Sequence, residues 1–223
     1  MHFYENLRFL ISDLASFPDQ EHLISIVKGG PFTAEDLAAI SRISGIPIGK
    51  LFDSKLDDLH KRPQNLKLII FDVDGVMTDA GMYCTESGDE MKKFNARDGL
   101  AIRALRNAGY ETGIISHGIN INLIQKRATL LNIARVYAGN RPKNEVLAEW
   151  CTELGITFDQ TAFIGDDVND LPIIRIVGFS ACPADALDAV KAEADVILSK
   201  SGGQGCIREW ADRFLLDRPL GED

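Results

Sequence analysis

The stretch from Leu66 to Asp79 limits most strongly what this chain can fold into. It begins with a short, nearly continuous apolar run and then reaches Asp72, Asp74 and Gly75. Such a run is typical of a buried strand in a parallel sheet, and ligands bind at the carboxyl ends of these strands. Two carboxylates beside a glycine that lets backbone approach a ligand suit a divalent cation and an anionic substrate. The alternative is an ordinary turn, since Asp and Gly are common turn residues.

Later segments repeat this pattern of a polar group after an apolar run. A second predicted strand ends in the hydroxyl of Ser116, and Lys143 stands at a predicted helix start. A further strand ends in an acidic cluster at Asp166, Asp167 and Asp170. The order Asp-x-Asp-Gly-Val-x-Thr-Asp, Ser, Lys and Gly-Asp-Asp-x-x-Asp resembles the four motifs of the haloacid dehalogenase-like (HAD) phosphatases. The resemblance covers roughly residues 66 to 216.

The resemblance implies a Rossmann-like, three-layer α/β fold with a parallel central sheet, occupying residues 63–223. Residues 81–94 are predicted to form a β-hairpin, the flap of this family, with its turn at residues 87–89. The spacing between the motifs leaves no room for a cap domain. The chain therefore resembles the capless subgroup, which includes the phosphatases of 3-deoxy-D-manno-octulosonate 8-phosphate and of nonulosonate 9-phosphates.

For the chemistry, the resemblance implies a magnesium-dependent phosphoric monoester hydrolase. Asp72 would be the nucleophile that forms an aspartyl-phosphate, and Asp74 would act as general acid and then general base. Ser116 and Lys143 would bind the phosphoryl oxygens.

The same resemblance implies a Mg²⁺ site. The ion would be held by the carboxylates of Asp72 and Asp166 and by the backbone carbonyl of Asp74. Asp167, behind these ligands, would orient Lys143 or a metal-bound water. Asp170 and Thr78 would brace the loops.

The segment Phe-Asn-x-Arg-Asp-Gly after the flap matches the octulosonate phosphatase pattern. By position, the resemblance assigns six residues to the substrate: Asn95, Arg97, Asp98, Gly99, Arg103 and Arg127. An Arg offers a planar fork for a carboxylate or phosphate. The alternative for Arg97 and Asp98 is a solvated helix N-terminus with a capping Asp.

The tripeptide Ser116-His117-Gly118 departs from the Thr-Gly-Arg of the octulosonate enzymes and the Thr-Gly-Glu of the nonulosonate enzymes. His117 either contacts the substrate or fills the loop. Three functions stay open beside hydrolysis of a sugar-acid phosphate: hydrolysis of another small phosphorylated metabolite, a non-catalytic oligomerisation domain, and a DNA-binding regulator.

Residues 1–62 differ in composition and are predicted to form a small helical module. Apolar residues recur at helical spacing from Phe3 to Leu14, a second helix begins at Thr33, and a third runs from Lys50 to Leu59. This order loosely resembles a helix-turn-helix. The block carries seven basic and nine acidic residues, however, whereas DNA-reading modules bring an excess of cations to the phosphates.

Composition limits the remaining classes of function. The chain has 223 residues and a net charge of −9, without a long basic run, which argues against a nucleic-acid or anionic-membrane partner. No apolar stretch approaches the roughly 20 residues of a membrane span, and no signal peptide is recognisable, so a cytoplasmic location is expected. The four scattered cysteines are predicted to be reduced thiols. The resemblance implies a homotetramer.

Overall fold

Six short apolar segments pair in parallel to form the central sheet of the computed structural model, which describes residues 3–12, 14–53, 65–87, 90–118 and 120–216. The strands of the protein are β1 (Leu68–Phe71), β2 (Tyr83–Cys84), β3 (Glu90–Met91), β4 (Glu111–Ser116), β5 (Arg135–Ala138), β6 (Thr161–Ile164), β7 (Phe179–Cys182) and β8 (Val196–Ile197). The order across the sheet is β5-β4-β1-β6-β7-β8. The strand that carries Asp72 at its end is therefore central.

Helices cover both faces of this sheet. The helices of the described part of the chain are α1 (Phe3–Phe9), α2 (Gln20–Val27), α3 (Ala34–Ser44), α4 (Ile48–Asp53), α5 (Ala96–Asn107), α6 (Ile121–Leu131), α7 (Lys143–Leu154), α8 (Leu171–Ile174), α9 (Asp188–Glu193) and α10 (Cys206–Trp210). Ile69 and Phe71 of β1 pack in a core with α5, α6 and α10, whereas Leu68 and Ile70 pack in a second core with α7, α8 and α9. Successive side chains of a strand point to opposite faces, so the predicted three-layer fold is confirmed.

The predicted flap is a two-stranded antiparallel hairpin of β2 and β3. Tyr83 pairs with Met91, and Cys84 pairs with Glu90. The predicted turn falls partly outside the described residues, which omit positions 88 and 89.

Helices α1 to α4 share a hydrophobic core whose buried members all lie between residues 3 and 51. The Phe3 ring stacks on that of Phe52 at 4.5 Å between centroids. The helix predicted to begin at Thr33 does so, with a capping box in which Thr33 and Asp36 each bond the backbone of the other. Helix α2, capped by Asp19, was not predicted. The helix predicted to extend to Leu59 begins at Ile48, and residues 54–59 lie outside the described ranges.

These N-terminal helices contact the sheet at its outer edge. The amide of Ile197 in β8 donates to the carbonyl of Gly45 at 2.6 Å, and Lys50 pairs with Asp195 at 2.5 Å. Gly45 ends α3 with φ +72°, and a Cβ there would lie 2.3 Å from the Ile197 carbonyl oxygen. Only glycine fits this contact, which occupies one polar group of an edge strand.

The four cysteines are free thiols, as predicted. Cys84 is exposed on the flap, and the others are buried. Burial raises the pKa of Cys151 and of Cys206, and it raises the pKa of Cys182 to about 12.

Within the described ranges, no helix is both long and apolar enough to cross a membrane.

Candidate active site

The predicted catalytic side chains meet where three neighbouring strands end. Asp72 follows β1, Ser116 is the last residue of β4, and Asp166 lies two residues after β6. Because β4 and β6 flank β1 on opposite sides, the chain crosses the sheet in both directions from this point. Such a reversal of strand order opens a crevice in which ligands bind.

A wide turn over Val73–Met77 brings the main chain back across this crevice. Gly75 has φ +86°, and a Cβ there would lie 2.0 Å from Oδ2 of Asp166. The amide and the hydroxyl of Thr78 both donate to the Val73 carbonyl, which confirms the expected bracing role of Thr78. Because a side chain at position 75 would collide with Asp166, the close approach of Asp166 to the turn after β1 requires glycine there.

Lys143 lies buried between two carboxylates at the start of α7. Its Nζ is 2.8 Å from Oδ1 of Asp72 and 2.5 Å from Oδ1 of Asp170. Oδ2 of Asp170 accepts from the amides of Asp166 and Asp167. Asp170 thus braces the loop, as predicted, and also holds the lysine.

Of the two predicted roles of Asp167, contact with Lys143 is wrong, and orientation of a metal-bound water stays a prediction. Oδ1 of Asp167 accepts from the amide of Val168, and Asp170 contacts the lysine instead. The reason is the turn at Val168–Asp170, which directs Asp170 inward and leaves Asp167 at the mouth of the cavity.

Burial dominates the electrostatics of the carboxylates. It raises the pKa of Asp72 to about 7, an effect that Lys143 opposes and Asp170 reinforces. Burial likewise raises the pKa of Asp166 to about 8, and the charges of Asp72 and Asp170 add to it. Burial lowers the pKa of Lys143, but the two carboxylates outweigh this effect and hold that pKa above its usual value. Three carboxyl groups thus share one buried ammonium, and a further cation would favour their ionisation.

The oxygens that could accept such a cation belong to Asp72, Asp166 and Asp170, which lie within 4.8 Å of one another. Both oxygens of Asp170 already have donors. Oδ1 of Asp166, in contrast, is buried and has no hydrogen-bond partner among the described residues. This geometry fits the predicted side-chain ligands Asp72 and Asp166, since hard cations prefer carboxylate oxygens.

The flap contributes a cation that was not predicted. Lys92 of the segment after β3 has a side chain that is 2% exposed, and its Nζ lies 2.5 Å from Oδ1 of Asp74 and 2.8 Å from Glu90. Asp74 itself is 35% exposed. The flap thus reaches over the turn and orients the predicted general acid.

A cavity of about 280 Å³ opens above these groups. Its described lining comprises Asp72, Asp74, Met82, Glu90, Lys92, Ser116, His117, Gly118, Asp167 and Asn169. Nε2 of His117 lies 3.1 Å from the Arg141 carbonyl, and Nδ1 lies 3.0 Å from the Asn169 amide. His117 therefore connects the loop that contains Arg141 with the turn that contains Asn169.

The six residues predicted to bind substrate are absent from this lining. Helix α5 begins at Ala96, with Asn95 as the N-cap. Asp98 is buried and accepts from the amide of Arg208, while Arg127 donates to the Asn95 carbonyl and lies over the Phe94 ring.

The other three predicted substrate residues, Gly99, Arg103 and Arg97, lie in the same region. A Cβ on Gly99 would lie 2.9 Å from the Arg127 guanidinium, and Arg103 donates to the Leu130 carbonyl. Arg97 is exposed in the first turn of α5. The alternative for Arg97 and Asp98, a solvated helix N-terminus with a capping Asp, needs correction, because Asn95 rather than Asp98 caps the helix and Asp98 is buried. Substrate contact by these six residues stays a prediction.

The chain matches known proteins over about seven tenths of its length. A family profile described as haloacid dehalogenase-like hydrolase matches residues 117–208. The 3-deoxy-D-manno-octulosonate 8-phosphate phosphatase of Yersinia pestis is 38% identical over 160 residues, which are 72% of this chain and 85% of the relative.

Solved structures agree with this match. The 3-deoxy-D-manno-octulosonate 8-phosphate phosphatase of Moraxella catarrhalis, in complex with magnesium, phosphate and KDO, superposes with a TM-score of 0.69 at 31% identity, over 72% of this chain and 91% of the other. The cobalt-bound deoxy-D-mannose-octulosonate 8-phosphate phosphatase of Haemophilus influenzae gives 0.66 at 35% identity, over 70% and 90%. On the motifs, the fold and these matches together, the chain belongs to the haloacid dehalogenase-like hydrolases and is a phosphatase, a phosphoric monoester hydrolase.

Proposed function

We propose that this phosphatase hydrolyses the phosphate monoester of a sugar acid, either 3-deoxy-D-manno-octulosonate 8-phosphate or a related nonulosonate 9-phosphate. The observation that carries the proposed chemistry is the buried contact between Lys143 and Asp72, the residue that directly follows β1. A buried carboxylate held by one ammonium is a positioned nucleophile. The named substrates of the Yersinia and Moraxella relatives support the choice of sugar acid.

The metal of the proposal is Mg²⁺, held by the carboxylates of Asp72 and Asp166 and by the backbone carbonyl of Asp74. Two observations support this site: Oδ1 of Asp166 has no hydrogen-bond partner among the described residues, and burial and the neighbouring carboxylates raise the pKa of Asp166, an effect that a bound cation would offset. When bound, the ion cancels the repulsion between the Asp72 carboxylate and the substrate phosphate.

In the proposed reaction, an Asp72 oxygen attacks phosphorus while the bond from phosphorus to the sugar oxygen breaks. Asp74 protonates that leaving oxygen, so the sugar acid departs as an alcohol and an aspartyl-phosphate remains. Asp74 then takes a proton from water, which attacks phosphorus and releases phosphate and the Asp72 carboxylate. The hydroxyl of Ser116 and the ammonium of Lys143 stabilise the phosphoryl oxygens.

The first experiment measures phosphate release from a panel of 3-deoxy-D-manno-octulosonate 8-phosphate, nonulosonate 9-phosphates and simple sugar phosphates, each with Mg²⁺ and with chelator. We expect a magnesium-dependent preference for one sugar-acid phosphate. Equal turnover of simple sugar phosphates would contradict the substrate class, and turnover unaffected by chelator would contradict the metal.

The nucleophile is tested with Asp72→Asn, which we expect to lower kcat by about 10³-fold or more while leaving the circular dichroism spectrum unchanged. Mass spectrometry of the acid-quenched wild-type enzyme should show a phosphate on Asp72.

The predicted homotetramer is tested separately by sedimentation of the full chain.

A further inference from the structure

A second and larger cavity lies between the N-terminal helices and the edge of the sheet. Its volume is about 620 Å³, within the range of small-molecule sites, and junctions between structural units are common places for such sites. Helices α3 and α4 contribute one side, and β8 with the segments around it contributes the other. The described lining comprises Ala38, Ser41, Arg42, Gly45, Ile48, Ala184, Lys191, Ile197, Leu198 and Ser199.

Two cations face this cavity from opposite sides, Arg42 from α3 and Lys191 from α9. Within the described ranges, neither lies within ion-pair distance of a carboxylate. The nearby acids have other partners, since Asp195 pairs with Lys50 and Glu193 pairs with Arg175. The surplus positive charge therefore favours an anionic ligand, and a guanidinium offers a planar fork for phosphate or carboxylate.

The rest of the wall is mostly apolar. Ile48 projects from α4, and Ile197 and Leu198 come from β8 and its end. The hydroxyl of Ser199 already donates to Glu209. A ligand that fits this lining has one anionic group and a compact carbon body.

The cavity wall is bonded to the catalytic loops. The amide of Leu187 donates to the Asp166 carbonyl at 3.0 Å, and the amide of Ala184 donates to the Lys200 carbonyl. From there the chain reaches Gly203, whose amide donates to the Val76 carbonyl at 2.9 Å.

Gly202 packs directly against the turn that follows Asp72. A Cβ on Gly202 would lie 2.0 Å from the Gly75 carbonyl oxygen, and its amide is held by Asp185. The segments 183–187 and 198–203 thus form the cavity wall at one end and support the turn after Asp72 at the other.

We propose that this cavity binds a small metabolite bearing a phosphate or carboxylate group and that its occupancy raises phosphatase activity. A ligand bound to both sides of the junction favours the arrangement in which these segments support the catalytic turn. The N-terminal helices then serve as a sensor of that metabolite.

Binding is tested on the full chain by amide NMR titration with two probes, phenylphosphonate and benzoate, which separate phosphate-like from carboxylate recognition. The test variant is Arg42→Met with Lys191→Met, and the control is Lys28→Met with Arg106→Met, two exposed cations outside this cavity. We expect one or both probes to shift the signals of residues 183–187 and 198–203 saturably. The test variant should bind about 10-fold more weakly or worse, and the control should bind like wild type. Unmoved signals, or equal binding by the test variant, would overturn the site.

Activation is measured with p-nitrophenyl phosphate over a range of concentrations. Competition by phenylphosphonate at the active site raises KM, whereas occupancy of the cavity should raise kcat by about twofold or more in wild type and control but not in the test variant. An unchanged or lowered kcat at saturating probe would refute the regulatory role. The NMR measurement does not depend on turnover, so a failure of this binding site is distinguishable from a failure of the proposed sugar-acid phosphatase function.

Discussion

At the scale of single residues, the close approach of Gly75 to Asp166 leads to the sharpest prediction. Gly75→Ala should lower kcat by about 10²-fold and weaken magnesium binding, because the new Cβ would displace the Asp166 carboxylate. Gly109→Ala is the matched control, since Gly109 has φ +95° but nothing within 4 Å of its Cβ position. Both variants should lose about 1 kcal/mol of stability from the positive φ. Steady-state kinetics with magnesium titration, together with thermal unfolding, test the pair, and equal activity in the two would refute the steric argument.

Asp98 is the residue that should make stability depend on pH. Burial raises its pKa to about 6, an effect that the Arg208 amide opposes. Between pH 4 and 6 the unfolded chain loses this proton while the folded chain keeps it, so the free energy of unfolding falls by on the order of 3 kcal/mol as pH rises. Above about pH 6 both states have released the proton, so the free energy of unfolding no longer changes with the ionisation of Asp98.

Asp98→Asn removes the ionisable group and keeps an oxygen for the Arg208 amide. We expect the variant to gain stability over wild type between about pH 4 and pH 6, with a constant difference above that range. Urea denaturation at several pH values measures the difference. A difference independent of pH would show that Asp98 keeps an ordinary pKa.

At the scale of elements, the flap carries two adjacent lysines with different surroundings. Lys92 is 2% exposed and contacts Asp74, whereas Lys93 is 56% exposed and pairs with Asp79. Lys92→Met should lower kcat by about 10- to 100-fold, because Asp74 loses the group that orients it. Lys93→Met should stay within about twofold of wild type. Rates on the preferred substrate decide the matter, and similar losses in both variants would assign the effect to flap stability instead.

The strands and the long helices of the sheet domain could be predicted because their apolar periodicity is strong. The sequence pattern predicts a helix over Ile121–Leu131, which are the bounds of α6, and β1, β4 and β6 end within a residue of their predicted positions. Helix α2 was missed because its buried residues, Leu23, Ile26 and Val27, cover little more than one turn. Weak local patterns of this kind become ordered through tertiary packing.

The site could be predicted where each side chain is delivered by its own strand end, as for Asp72, Ser116 and Asp166. The contacts of Lys92 and Asp170 could not, because they depend on how a hairpin folds over a turn and how a short turn directs one of several acids. The resemblance alone assigned Asp98 to the substrate, and nothing in its local pattern indicated burial against α10.

At the scale of the whole molecule, the attachment of the N-terminal helices rests on Gly45. Gly45→Ala should loosen this junction, because its Cβ would lie 2.3 Å from the Ile197 carbonyl oxygen. Gly29→Ala is the control in the same helical region, with φ +99° and no atom within 4 Å. Hydrogen exchange should rise by about tenfold or more at the Ile197 amide in Gly45→Ala alone. Unchanged protection there would mean that other contacts hold the junction.

The distribution of thiols has a practical consequence. Cys84 is exposed on β2 of the flap, close in sequence to Met82 at the cavity mouth, while the other three cysteines are buried. Thiolates, rather than thiols, react with maleimides, so burial protects the three inner positions. A maleimide dye added to the folded enzyme should therefore attach to the hairpin alone. The unmodified sequence thus carries a built-in attachment point from which the arrival and departure of substrate can be followed optically.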